Sequence, residues 1–124
     1  MMAALTVLDL ARIGAGGVVS ALGLAFILGG AIGLLRFPDF YTRLHAASVS
    51  DGMGAALFAV GLAIMAPDAG MAVRLLLLAG LIVALGPVLT HLLASSAHAG
   101  GLAPIAGRYT APRPGAPRRE EPGA

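Results

Sequence analysis

Long apolar stretches dominate the chain and predict three membrane-spanning helices. The first stretch, Ile13 to Leu35, holds 23 residues without a charge, and the third, Leu75 to Ala97, is equally long. At 1.5 Å per residue, a helix of this length crosses a hydrocarbon core of about 30 Å. The second stretch, Gly52 to Ala66, has only 15 apolar residues, so it needs turns from Leu44 to Ser50 to span. The expected spans are therefore about residues 13–35, 46–66 and 74–97.

The composition supports a membrane protein over a soluble one. Hydrophobic residues make up 58% of the chain and charged residues 11%, against roughly 25% charged residues in soluble domains. The mean hydropathy is +0.90, and so few charges cannot cover the surface of a soluble protein. The apolar stretches show no alternation of polar and apolar positions, which excludes barrel strands. The fold class predicted is all-α, with a three-helix transmembrane domain over residues 1–99.

The C-terminal stretch has a different composition from the rest of the chain. From about Gly100 it is rich in Pro, Gly and Arg, which predicts a disordered cytoplasmic tail over residues 100–124. The basic pI near 9.9 is also seen in nucleic-acid-binding proteins. The arginines here lie in the tail and at the edges of apolar stretches, as is typical of membrane flanks, so no nucleic-acid partner is predicted. The chain has no cysteine, which excludes disulfides and thiolate–metal sites.

The distribution of arginine predicts the orientation in the membrane. Three spans place the first connecting segment and the C-terminal tail on the same side. That side carries Arg36, Arg43 and Arg108 with three further tail arginines, whereas the other side carries only Arg12 and Arg74. Under the positive-inside rule, the N-terminus lies outside and the C-terminus lies in the cytoplasm.

Small residues recur at every fourth position along the first span and predict a helix-packing face. In lipid, helices associate through close packing rather than through the hydrophobic effect, and small residues allow that approach. The simplest expectation is that this stripe packs against the second span, and the alternative is that a helix of a partner subunit covers it. The stripe consists of Gly17, Ala21, Ala25, Gly29 and Gly33, and a shorter one on the second span consists of Ala55, Ala59 and Ala63.

The segment that joins the first two spans holds most of the polar chemistry. Pro38 suits the first turn of a helix, where its missing N–H costs nothing, and Asp39 would then favour the positive end of the helix dipole. Asp39 and Arg43 are four residues apart, so they can pair on one helix face. The candidate residues here, ending with the one that marks the start of the second span, are Arg36, Pro38, Asp39, Tyr41, Arg43, His45 and Asp51.

The third span contributes two further candidates, Pro87 and His91. Pro87 frees the carbonyl of Val83, which can bind water or a cation with help from Thr90, or it introduces only a packing kink. His91 is the one ionisable side chain inside the uncharged stretches, and it can relay a proton, pack, or cap a helix end. It is expected deep in the span or on the side opposite the first connecting segment.

Ion transport needs ionisable groups at membrane depth, and the centres of the three stretches have none. The chain is therefore expected not to carry ions by itself. His45 can act as a pH sensor, because imidazole titrates near neutral pH, or it can be an ordinary interfacial histidine.

The string GLLRFPDFYTRLHAASVSDGMG, residues 33–54, resembles the signature of the small MnhG/MrpG/PhaG-type component of the multisubunit monovalent cation/proton antiporters, the Mrp/Mnh/Pha family. The resemblance covers roughly residues 14–105, and Pro87 is similar to the proline of the family's third helix. It implies a multi-pass subunit of the bacterial inner membrane that is not an enzyme and needs no cofactor or metal. The implied partners are large subunits similar to those of respiratory complex I, other small subunits and the lipid bilayer. The implied transported ions are Na⁺, or K⁺, and H⁺.

Several alternatives stay open on the sequence alone. The candidate residues can line an ion path, hold the chain to partner subunits needed for assembly, or merely anchor the helices at the interface. An equivalent small subunit occurs in membrane-bound hydrogenases or oxidoreductases with an Mrp-like module. An enzyme that uses His45, Asp51 and His91 is disfavoured because their spacing matches no metal motif. A free-standing packing protein or small channel would be stable without partners.

Overall fold

The computed structural model describes residues 6–102, 105–106 and 109–110 of the chain. Three long helices account for most of them: α1 (Val7–Arg36), α2 (Phe40–Met65) and α3 (Ala69–Ala99). Each is long and apolar enough to cross a membrane. The predicted all-α fold with three spans is thereby confirmed. Helices α1 and α3 extend beyond their predicted spans at both ends, whereas α2 begins six residues before position 46 and ends at Met65.

Polar side chains fix where the three helices begin. The Thr6 hydroxyl accepts a hydrogen bond from the N–H of Asp9 at 3.2 Å, and the Asp9 carboxylate accepts one from the N–H of Thr6 in return. Asp39 caps α2 by accepting the N–H of Tyr41 at 3.1 Å. Asp68 caps α3 by accepting the N–H three residues further on at 2.9 Å. Each cap satisfies a backbone donor that the helix itself leaves unpaired.

The second helix changes its winding near the middle. It is α-helical over Phe40–Ser48, π-helical over Val49–Gly54 and α-helical again over Ala55–Met65. Segments of π-helix are rare and occur mostly as short bulges, often at functional sites. The short apolar stretch of the second span is thus completed by a continuous helix of 26 residues, as the length argument required.

The three helices form a row with α2 in the middle. On one side of α2, the Ser50 hydroxyl donates to the Ile27 carbonyl of α1 at 3.3 Å. On the other side, the Cα atom of Gly52 lies 3.9 Å from the position of a Cβ atom built on Gly86 of α3. Within residues 6–102, α1 and α3 make no contact with each other. Both remaining faces of α2 are therefore left open by this part of the chain.

The contact between α1 and α2 is a seam of glycines. A Cβ atom built on Gly16 would lie 2.7 Å from the Gly61 carbonyl oxygen. One built on Gly23 would lie 2.8 Å from the Gly54 carbonyl oxygen and 2.5 Å from the Phe58 nitrogen. Neither position has room for a side chain, so the two antiparallel backbones touch directly. In lipid, this close packing is what holds helices together.

The predicted packing stripe is wrong as the contact between α1 and α2. Gly33 is buried, but Ala21, Ala25 and Gly29 are exposed, and a Cβ atom on Gly17 would meet nothing within 4 Å. The reason is geometric: a four-residue step overshoots one helical turn by about 40°, so the stripe winds around α1. The seven-residue spacing of the seam drifts by only about 20° per step and stays on one face. Contact of the outer stripe with a partner helix remains a prediction.

Small residues also form the remaining core, while the large side chains face outward. Ala56, Ala59 and Ala79 make up the buried cluster between α2 and α3. Leucines of α3 such as Leu77, which is 69% exposed, point away from the row. This arrangement suits a chain surrounded by lipid tails or by other helices rather than by water.

Two short strands follow α3. They are β1 (Ile105–Ala106) and β2 (Tyr109–Thr110), and they pair antiparallel, with Ile105 opposite Thr110. The other residues of the predicted disordered tail, apart from 100–102, lie outside the described part of the chain.

Candidate functional site

The segment between α1 and α2 is organised around Asp39. This residue is buried, with 8% of its surface exposed, and its carboxylate caps α2 through the N–H of Tyr41. Its backbone carbonyl also accepts the hydroxyl of Thr42 at 2.8 Å. Pro38 precedes this cap, so its predicted place in the first helical turn is wrong. The aspartate is the better cap because its side-chain oxygen satisfies a free N–H, which proline cannot do.

Arg43 has a different partner from the predicted one. Its Nε donates to the Phe37 carbonyl oxygen at 2.6 Å, whereas the Asp39 carboxylate turns toward the first turn of its own helix. The predicted Asp39–Arg43 pair is therefore not the contact these two residues make. Arg43 closes the turn between α1 and α2 instead. Arg36 is exposed in the last turn of α1, where a cation interacts favourably with the negative end of the helix.

Tyr41 connects the start of α2 to the end of α3. Its hydroxyl donates to the Leu102 carbonyl oxygen at 3.0 Å. His45 is exposed one turn further along α2, and its carbonyl accepts the Ser48 hydroxyl at 2.8 Å. Tyr41 thus contributes a link between helices that its sequence position alone did not predict.

A cleft of about 660 Å³ opens between α2 and α3 where the π-helical segment faces Pro87. Its walls are mostly apolar, with Ser48, Thr90 and His91 as polar members. The lining residues are Ser48, Gly52, Met53, Ala56, Leu57, Val83, Gly86, Pro87, Thr90, His91 and Ala94. The structure therefore brings the two candidates of the third span to the middle of the second, which sequence spacing did not predict.

Two expectations about the third span need correction. Thr90 donates its hydroxyl to the Gly86 carbonyl at 2.9 Å rather than assisting at Val83, because a threonine on a helix reaches the carbonyl four residues back most easily. His91 shares its cleft with Ser48, on the half of the bundle that also holds the first connecting segment. Since α3 runs antiparallel to α2, its C-terminal half must lie beside the N-terminal half of α2. His91 is therefore not on the opposite side.

Asp51 lies near the middle of the membrane-spanning region rather than at its edge. Its neighbour Ser50 bonds to Ile27, three residues from the midpoint of the uncharged stretch of α1. Its other neighbour, Gly52, approaches Gly86, the midpoint of the uncharged stretch of α3. At 1.5 Å per residue, both comparisons place Asp51 within about 5 Å of the centres of these uncharged stretches. The prediction that it marks the start of the span fails because α2 begins at Phe40. The expectation that the centres of the spans hold no ionisable group is wrong for the same reason.

Arg12 makes a contact between helices that the sequence pattern did not predict. Its guanidinium donates to the Ile64 carbonyl at 3.3 Å and to the Ala66 carbonyl at 2.9 Å. These carbonyls belong to the C-terminal end of α2, which has no helical donors left for them. A cation at that end also interacts favourably with the helix dipole. Arg12 thus caps the C-terminal end of α2 from its position on α1. The positive-inside rule alone would use this residue only to assign the orientation in the membrane.

Comparison with known families identifies the chain's relatives. Residues 19–98 match the family model PhaG/MnhG/YufB, described as a Na⁺/H⁺ antiporter subunit. A UPF0091 protein of Rickettsia conorii is 50% identical over 72 residues, which cover 58% of this chain and 68% of that protein. A UPF0091 protein of Pyrococcus horikoshii is 37% identical over 75 residues, covering 60% of this chain and 73% of that protein.

Two solved structures share the fold. A chain in the structure of the Mrp complex from Dietzia sp. DQ12-45-1b has a TM-score of 0.73 and 33% identity, with 82% of this chain and 92% of that chain covered. A chain of the membrane-bound sulfane sulfur reductase, an archaeal respiratory membrane complex, has a TM-score of 0.68 and 24% identity. That match covers 76% of this chain and 88% of the other, and at this identity it indicates a shared fold only.

Proposed function

The chain belongs to the PhaG/MnhG/YufB family of Na⁺/H⁺ antiporter subunits, and from this membership we propose that it is the small accessory subunit of a hetero-oligomeric antiporter. The complex would exchange a monovalent cation, Na⁺ or K⁺, for protons. This chain would act as a transporter component without catalysis of its own. The observation that carries the proposal is the match of nearly the whole folded region, both to the family and to a chain of an Mrp complex.

The open row of helices supports a role within a larger assembly. Within residues 6–102, helices α1 and α3 each touch only α2 among the three spans, so most of their surface needs lipid or other helices as cover. Asp51 and His45 are exposed on α2 as well. A lone subunit would present these polar side chains to lipid or to the membrane interface. This is energetically unfavourable for Asp51, which lies at membrane depth. Partner subunits that cover them resolve this problem.

We further propose that the protein lies in the bacterial inner membrane, with its N-terminus outside and its C-terminus in the cytoplasm. The proposal rests on arginine counts, with Arg36 and Arg43 beside the first connecting segment. The hydrogen bond from Tyr41 to Leu102 supports the assumption that this segment and the start of the tail share one side.

Co-purification tests the assignment directly. The chain carries an affinity tag at its C-terminus, is expressed in its own host and is extracted in mild detergent. The proteins that accompany it are then identified by mass spectrometry. We expect large, complex-I-like antiporter subunits together with other small subunits. Purification of the chain alone, or only as copies of itself, would contradict the proposal and favour a free-standing packing protein or channel.

The fold shared with the sulfane sulfur reductase chain favours a second candidate function. In it, this chain is a subunit of a respiratory oxidoreductase with a related membrane module. The same co-purification separates the two. Redox subunits with iron–sulfur clusters among the partners would replace the antiporter by such an oxidoreductase. Their absence from a preparation that contains the antiporter subunits supports the first assignment.

A further inference from the structure

Asp51 differs from the other carboxylates of the helical region. Asp9, Asp39 and Asp68 each cap the start of a helix through a backbone N–H. Asp51 lies inside α2, in the π-helical segment, and within residues 6–102 its side chain caps no helix. It is exposed, although both neighbours in sequence are occupied, Ser50 against α1 and Gly52 against α3. Its side chain therefore points out of the row of helices.

Because Asp51 lies at membrane depth, the exposure of its side chain has an energetic cost. The Asp51 backbone lies within about 5 Å of the centre of the uncharged stretch of each neighbouring helix. An ionised carboxylate facing hydrocarbon at that depth is costly, so it must be protonated or be matched by a cation. Acidic side chains in this position in membrane proteins typically face a partner or a water-filled path and handle ions or protons.

The backbone around Asp51 is irregular, and such turns inside helices occur frequently at functional sites. The π-helical turn over Val49–Gly54 is an irregular piece of helix at membrane depth. A carboxylate is a hard oxygen ligand, the kind that hard metal cations prefer.

We propose that Asp51 binds the transported monovalent cation and the exchanging proton in turn, at the surface where a partner subunit covers α2. This inference rests on the proposed antiporter function and names the residue of this subunit that serves it. The exchange balances as follows: the protonated carboxyl releases H⁺ as the cation binds to the carboxylate, and the cation leaves when a proton returns. No other reactant is required.

Substitution in the complete complex tests the proposal. Asp51→Asn keeps the size of the side chain but cannot exchange a proton, whereas Asp51→Glu keeps the carboxylate. Asp68→Asn is the matched control, because asparagine also caps a helix. Each complex is purified through a tag on another subunit and reconstituted in vesicles, and Na⁺/H⁺ exchange is measured.

We expect Asp51→Asn to assemble normally and to lose exchange by about a hundredfold or more, the scale of a missing proton-transfer group. Asp51→Glu should retain measurable exchange with an altered apparent KM for Na⁺, and Asp68→Asn should match the wild type. Normal exchange by an assembled Asp51→Asn complex would overturn the proposal. Failure of Asp51→Asn to assemble, with Asp51→Glu assembling, would also overturn it and show an ion pair with a partner side chain instead.

Chemical labelling provides a readout that does not depend on transport. Dicyclohexylcarbodiimide reacts with protonated carboxyl groups in apolar surroundings, and peptide mass spectrometry locates the adduct. In the wild-type complex at fixed pH, we expect labelling at Asp51 that falls as Na⁺ is added, with no such change at Asp9. If the extent of labelling at Asp51 did not change as Na⁺ was added, cation binding at this residue would be contradicted. If the wild-type chain co-purified with no antiporter subunits, the proposed function itself would fail, which is a distinct result.

Discussion

The Tyr41 hydroxyl donates a 3.0 Å hydrogen bond to the Leu102 carbonyl oxygen and so joins the start of α2 to the end of α3. Two segments 61 residues apart in sequence therefore meet at one end of the bundle. The other end holds the start of α1 and the turn around Pro67. Because each end of the bundle is defined in this way, the whole chain has only two possible orientations in the membrane.

Cysteine labelling in intact cells decides that choice, because the native chain has no cysteine. Pro67 and Leu102 are both exposed, at opposite ends of the bundle. A membrane-impermeant maleimide should label Pro67→Cys in intact cells, and should label Leu102→Cys only after the cells are opened. The reverse pattern would place the C-terminus outside.

The glycine seam predicts a sharp contrast between two positions of α1. Gly23→Ala inserts a methyl group against the Phe58 nitrogen, whereas Gly29→Ala meets nothing within 4 Å. We expect Gly23→Ala to destabilise the isolated chain in detergent by about 1–3 kcal/mol, the usual cost of overpacking. Gly29→Ala should be neutral or slightly stabilising, because alanine is the better helix former. Equal unfolding midpoints for the two variants would refute the seam.

The contact of Arg12 with the end of α2 predicts a loss of stability when its side chain is removed. Arg12→Ala should lower the free energy of unfolding by about 1 kcal/mol, because two carbonyls lose a charged donor. Arg74→Ala removes a charge from the same side of the membrane and is the control for topology. If both variants melt at the same temperature, the contact contributes nothing measurable.

Two substitutions at Asp39 separate its capping role from its charge. Asp39→Asn keeps an oxygen that accepts the Tyr41 N–H, whereas Asp39→Ala loses it. We expect Asp39→Ala to reduce assembly of the complex, with a cost of about 1 kcal/mol for the lost cap, and Asp39→Asn to assemble as the wild type does. If Asp39→Asn assembles normally but exchange falls as far as in Asp39→Ala, the charge itself serves transport, and the capping account is incomplete.

The sequence predicted the number of helices well because uncharged runs such as Ile13 to Leu35 reflect a strong physical constraint. Backbone groups must be paired inside the bilayer, so a run of that length has few alternatives to a helix. The second span was harder to delimit, since Thr42, Arg43 and His45 interrupt its apolar pattern. The structure shows that these residues occupy the first turns of the same helix.

The packing face and the depth of Asp51 could not be read as easily. Alanine and glycine are so common here that a four-residue ladder appears by chance, while the true seam repeats every seven residues, at Gly16 and Gly23 and again at Gly54 and Gly61. That second spacing was present in the sequence and was the more informative one. The depth of Asp51 depends on where α2 begins and on its alignment with both neighbours, which are properties of tertiary packing.

The most direct test of the central claim is Na⁺/H⁺ exchange in vesicles, measured with a pH-sensitive dye. Three preparations are compared: the complete complex, the complex purified from cells that lack this chain, and this chain alone. If the chain is an accessory subunit of an antiporter, the complete complex should exchange Na⁺ for H⁺ and the other two preparations should not. Exchange by the isolated chain, or full exchange by the complex without it, would contradict the account.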